Sequence, residues 1–139
     1  MSVDQSTLTP LQIWRDNQFG NPSNVGVGAD GASPAGDGVA NLIKYALGLD
    51  PFTPAPAAAL PAGSLTEDPN QRYPTLTVNR TAQAADISYV VQVSGDLRNW
   101  FSGPAYTTTL ADTPTQLVVR DNTPVGSTPR FMRLAISSP

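Results

Sequence analysis

The hydrophobic pattern of this chain changes period once, and the change falls at Tyr73. Before it, apolar residues recur at helical spacing. After it, they alternate. A chain patterned this way folds as helices followed by antiparallel strands. Thr9-Pro10 reads as a helix cap followed by proline at the first helical position, with Leu8, Leu11 and Trp14 at three-residue steps and an end near Phe19-Gly20. The stretch NPSNVGVGADGASPAGDG is packed with turn residues and reads as a loop. A second helix follows, with Asp37 as N-cap and Val39, Leu42, Ile43, Ala46 and Leu47 as one buried stripe. Gly48 closes that helix and Pro51 stops its continuation. PFTPAPAAALPAG then reads as an extended, semi-stiff tether.

In the second part, YPTLTVN places Leu76 and Val78 on one face. DISYVVQVS does the same with Ile87, Tyr89, Val91 and Val93, and RFMRLAIS with Met132, Leu134 and Ile136. AYTTTL and QLVVRD complete a set of short, turn-punctuated strands. The expected fold is mainly β with two N-terminal helices. Its core is a small antiparallel β-sandwich of five or six strands, immunoglobulin/fibronectin-III-like or carbohydrate-binding-module-like, capped by the helical segment. The expected organisation is a helical segment over 1–51, a Pro/Ala-rich tether over 52–72 and the sandwich over 73–139.

Composition removes most chemistry. The chain has no His and no Cys, so Ser-His and Cys-His nucleophile pairs, thiolate metal sites and disulfides are all excluded. Charged residues are 14% of the chain, against roughly 25% in an average globular protein. The net charge of −3 gives no basic footprint for nucleic acid. No apolar run approaches the ~20 residues that span a bilayer, so no membrane insertion is expected. MSVDQSTLTP lacks the basic and apolar regions of a signal peptide. The acids flanking the strands, Asp86, Asp96, Asp112 and Asp121, read as turn formers and edge guards rather than as a catalytic carboxylate pair.

The order of the pieces resembles the C-terminal accessory module of large secreted proteins of environmental bacteria. The residues that carry the resemblance are Trp14 and Phe19, then GDGVANLIKYALGLDP at 36–51, YVVQVSGDLRNW at 89–100 and RFMRL at 130–134. They cover nearly the whole chain. The resemblance implies a secreted or cell-surface, non-catalytic module excised from a longer protein, whose partners would be a polysaccharide or the parent enzyme domain.

The middle motif is also similar to the calcium loops of dockerins and thrombospondin type 3 repeats. A hard cation needs six to eight oxygens, supplied from alternate positions of a sharply bent loop. With Asp37-Gly38 as the Asp-Gly pair, Asn41 is the ninth position and Ser33 and Ala35 are the first and third. The twelfth, where a bidentate Glu is expected, is Lys44. Two readings follow: a degenerate calcium site on Asp30, Asp37 and Asn41, or a relic loop in which Asp37 only caps the helix.

For glycans, flat aromatic faces with polar handles are the natural contacts. Trp14, Trp100, Phe101, Tyr73, Tyr89 and Tyr106 offer such faces; Tyr106, in a Thr-rich strand, and Trp100, beside Phe101 and a Gly-Pro turn, are the chosen candidates, while Trp14 and Tyr89 read as core. Arg130 and Arg133 straddle Phe131 and offer an anion contact or a pairing with acids of the helical part. Three functions follow: a polysaccharide-binding module, a structural or self-associating module, and, disfavoured by the missing His and Cys, an enzyme.

Overall fold

The computed structural model describes residues 7–126 and 128–138. Two helices and six strands are present among them: α1 Pro10–Phe19, α2 Asn41–Leu47, β1 Ala62–Glu67, β2 Arg72–Asn79, β3 Ser88–Ser94, β4 Thr107–Thr113, β5 Gln116–Asp121 and β6 Phe131–Ser137. The fold is mainly β, with one four-stranded antiparallel sheet in the order β1-β2-β5-β4 and a second sheet pairing β3 with β6. No helix among the described residues is long and apolar enough to cross a membrane.

The chain forms two units that do not follow its linear order. One comprises the residues up to Ala59, Arg80–Ser88 and the end from Ile136; the other comprises Leu60–Asn79 and Tyr89–Ala135. The segment read as a tether contributes β1, which runs antiparallel to β2 from Ala62 opposite Thr77 to Glu67 opposite Arg72. Its AGSLTE sequence shows no alternation because only Thr66 is even half-buried.

The helical unit is built on local chemistry. Thr9 caps α1 as expected, and Gln12 completes a capping box: its amide donates to Thr9 Oγ1 at 3.2 Å and its side chain accepts from the Thr9 amide at 2.9 Å. Leu11, Tyr45 and Ala84 form the buried cluster, with Trp14, Leu42 and Ile87 against it. Asp86 ties this cluster together, accepting from the Leu11 amide at 3.1 Å and the Tyr45 hydroxyl at 2.6 Å. Trp14 meets the Phe19 ring edge-on at 5.8 Å, and Phe19 continues to Phe52 at 5.2 Å. Gly28 fits closely here, because a Cβ would stand 3.0 Å from the Phe19 ring, which would have to give by a few tenths of an ångström.

The second helix departs from expectation at its start. It begins at Asn41, with Ala40 in the cap position and no side-chain cap, so Asp37 is not its N-cap. Its buried residues are Asn41, Lys44, Tyr45, Ala46 and Leu47, while Ile43 is exposed. Gly48 ends it as expected, at φ 75°, with its amide and that of Leu49 bonded back to the last turn.

In the sheet unit, Leu76 and Val78 of β2 and Val91 and Val93 of β3 are buried as alternation assigns, with Leu117 and Val119 of β5, whereas Tyr89 of β3 and Met132 and Leu134 of β6 are half-buried. β4 and β5 form a hairpin whose register shifts between Thr109 and Ala111, leaving Leu110 exposed.

Candidate functional site

The loop-helix places its candidate ligands against donors of the protein itself. Asp30 accepts from the Arg15 guanidinium at 2.6 Å and from Asn24 at 3.3 Å. Asp37 accepts from Ser33 Oγ at 3.0 Å and the Val39 amide at 3.1 Å on one oxygen. On the other it accepts from the Ala55 amide at 2.7 Å and meets Lys44 Nζ at 3.0 Å. These contacts, the Ala55 amide foremost and then the Lys44 ammonium, hold the Asp37 carboxyl well below the usual carboxylate range. Asn41, 1% exposed, turns its NH2 group to the carbonyls of Val27 and Ala29 at 2.7 and 3.0 Å. Its own oxygen is buried without a hydrogen-bond partner among the described residues. Among the described residues no group of three acidic side chains comes together as a metal cluster.

Trp14 and Tyr45, with Gln18, Asp50, Thr81 and Gln83, also line a hollow of about 350 Å³. Trp14 is committed there to ring contacts with Phe19 and Tyr45. Asp50 is occupied by the Phe52 amide and the Thr53 hydroxyl.

The sheet unit presents a different surface. Phe101 and Tyr106 stack on each other, ring centres 4.7 Å apart and planes 20° from parallel, and both are exposed, at 43% and 42%. The backbone fixes both rings. Phe101 exchanges two hydrogen bonds with Val93, at 2.8 and 2.9 Å. The turn between the rings closes on the Gly103 carbonyl, which accepts from the amides of Tyr106 and Thr107, both at 2.9 Å. Gly103 sits at φ 90°, a conformation that glycine adopts without penalty. The Asn122 amide donates to the Tyr106 carbonyl at 2.9 Å, and its side chain to that of Pro104 at 3.1 Å.

Two grooves border this turn, of about 340 and 370 Å³, and both include Gly103, Thr107 and Thr109. The larger adds Ser102 and Asp112, and neither is lined by a basic side chain. The Ser102, Tyr106 and Thr109 hydroxyls have no hydrogen-bond partner among the described residues.

Of the sequence candidates, Tyr106 is on this surface. Trp100 is half-buried, with the Arg133 guanidinium 4.1 Å above its ring. Arg130 is bidentate on the wholly buried Asp121, at 2.8 and 3.0 Å. Its partner is therefore a strand acid, in place of the expected acids of the helical part. Phe101, one of the aromatics that the sequence offers for stacking but not one of its chosen contacts, is the second ring of this surface. Its signal was an aromatic on either side of a Ser-Gly-Pro-Ala turn.

The motifs behind the resemblance have structural explanations. In SGDLRNW, Ser94 Oγ accepts from the amides of Asp96 and Leu97, at 3.1 and 2.9 Å. Asp96 accepts from the amides of Arg98 and Asn99, at 2.9 and 2.8 Å. Leu97, at φ 63°, takes the left-handed position. Gly95 is small for another reason: a Cβ there would stand 3.3 Å from the Arg130 guanidinium. Comparison of the chain with protein-family models, with curated proteins and with solved structures finds no match in any of the three.

Proposed function

We propose that this chain is a non-catalytic accessory module of a secreted bacterial protein and that it binds a neutral polysaccharide through the Phe101–Tyr106 pair. On this reading the two sheets are the layers of a small sandwich of immunoglobulin/fibronectin-III or carbohydrate-binding type. The observation that carries the reading is an exposed aromatic pair, fixed by backbone hydrogen bonds, beside hydroxyls that have no partner among the described residues. An aromatic face takes the C–H face of a sugar ring, and Tyr106, Ser102 and Thr109 supply hydroxyl partners. Nothing in this chemistry breaks a bond.

Charge narrows the ligand. Arg130 is held by Asp121, and Arg133 by Trp100 and Gln92. With no basic side chain lining either groove, an anionic glycan is disfavoured. Affinity electrophoresis against neutral glucans, mannans, galactans and xylans, with uronic-acid and sulfated glycans alongside, tests this. Retardation by a neutral class, abolished in Phe101→Ala/Tyr106→Ala, is expected. Retardation that survives the double variant would place the contact elsewhere.

A second reading is a structural, self-associating module. One observation favours it: β1 is an outer strand of its sheet, carries Glu67 as its one charge and exposes Leu65 at 49%. Unpaired strand edges join between copies when nothing blunts them. Size-exclusion elution that shifts with concentration in the natural chain, and is constant in Leu65→Lys, would support it.

A further inference from the structure

We infer that the ammonium of Lys44 is this loop's own cation, standing where a divalent metal stands in loops of the same spacing. The misfit with calcium chemistry carries the inference. With Asp37-Gly38 at the fifth and sixth positions of a twelve-residue loop, Ser33 is the first and Lys44 the last. In the structure the first, fifth and twelfth side chains do converge. Ser33 Oγ lies 3.0 Å from one Asp37 oxygen, and Lys44 Nζ lies 3.0 Å from the other. The register of a metal loop is kept, but the charge at its last position is reversed. A bidentate carboxylate would face the ion there; here a positive charge arrives on a side chain.

The Asp37 oxygens are satisfied from within. Both Asp37 oxygens already have two partners each. Asn41, at the ninth position, is held by its NH2 group on the carbonyls of Val27 and Ala29, and its oxygen, without a hydrogen-bond partner among the described residues, makes no bond to Asp37 or Lys44. A calcium ion on Asp37 would also meet the ammonium at close range, which like-charge repulsion opposes.

Lys44 also does a metal's structural work. It is 0% exposed, and its ammonium donates to the Thr53 carbonyl at 2.8 Å as well as to Asp37. It thereby joins the loop before α2 to the segment after it, a link that the Ala55 amide doubles at 2.7 Å on the same Asp37 oxygen as the ammonium. A tethered ammonium costs no ligand-binding equilibrium, so this loop closes whatever the calcium concentration.

The test is thermal unfolding of the natural chain, Lys44→Met and Lys44→Glu, each with calcium and with chelator, together with sensitised terbium luminescence. The natural chain is expected to melt at one temperature in both conditions and to give no saturable terbium signal. Lys44→Met strands the Asp37 charge and is expected to melt lower by more than about 10 °C in both conditions. Lys44→Glu restores the carboxylate and is expected to be weak in chelator, to recover with calcium and to bind terbium. Calcium stabilisation of the natural chain would overturn the inference, as would a Lys44→Met variant of unchanged stability. A folded Lys44→Glu that ignores calcium would overturn it too. If Lys44→Glu does not fold in either condition, the natural chain and Lys44→Met decide.

Discussion

The guanidinium of Arg133 lies over the Trp100 ring, 4.1 Å from its centre, while its Nε donates to Gln92 at 2.7 Å. Trp100 ends one of the motifs of the resemblance and Arg133 belongs to another, so the two motifs hold each other. Arg133→Ala is expected to lower the melting temperature by a few degrees, consistent with about 1 kcal/mol for a cation over an indole near the surface. In a Trp14→Phe background, Trp100 emission is expected to shift to longer wavelength as the ring is uncovered. An unshifted spectrum would mean that the pair does not persist in solution.

Arg130 and Asp121 are the more costly pair. Asp121 is wholly buried and accepts two hydrogen bonds from Arg130. Removing Arg130 alone leaves a buried carboxylate without its counter-charge, a loss of about 3 kcal/mol or more. Arg130→Met with Asp121→Leu is expected to recover much of that loss, because no charge is stranded. Urea unfolding of the single and double variants measures the difference.

Tyr45→Phe removes one hydroxyl, 2.6 Å from Asp86, from the centre of the helical unit. A hydrogen bond to a charged acceptor is worth about 1.5–3 kcal/mol, and the variant is expected to lose that much. Asp86→Ala is expected to lose more, because the Leu11 amide at the start of α1 loses its acceptor as well. Denaturant midpoints of the two variants check the order.

Asp96 gives the expected acid response. The amide of Asn99, then that of Arg98, then the Asn99 side chain lower its pKa from 3.8 to about 2. A carboxyl depressed by folding adds stability that is fully present above its unfolded pKa and is lost as pH falls through its folded pKa. The contribution of Asp96 is therefore complete above pH 3.8 and disappears towards about 2. Asp96→Asn is expected to be the less stable protein at neutral pH and to show a flatter stability curve across that window. Parallel curves would contradict the assignment.

What could be read from the sequence divides by the distance to the partner. Thr9, Pro10 and Gly48 act on backbone within one helical turn, and their roles are visible in the sequence. Asp37 looks like a cap because it stands just before a helical stripe, but the partners that fix it include Ala55 and Lys44, which no local rule supplies. Lys44 reads only as a departure from the calcium pattern for the same reason. β1 is hidden because an outer strand exposed along most of its length has no alternation to show. Tyr106 is legible as a surface aromatic. Its stack on Phe101 depends on the turn that brings the two rings together, and their spacing alone does not reveal it.

The central claim is that the Phe101–Tyr106 surface binds a neutral polysaccharide. The most direct measurement is affinity electrophoresis of the natural chain and of Phe101→Ala/Tyr106→Ala through gels containing neutral and anionic polysaccharides, each with calcium and with chelator. Retardation of the natural chain by a neutral class, equal in both conditions and lost in the double variant, is the result expected. Equal mobility of the natural chain in every gel would contradict it and leave the self-associating module as the reading to pursue.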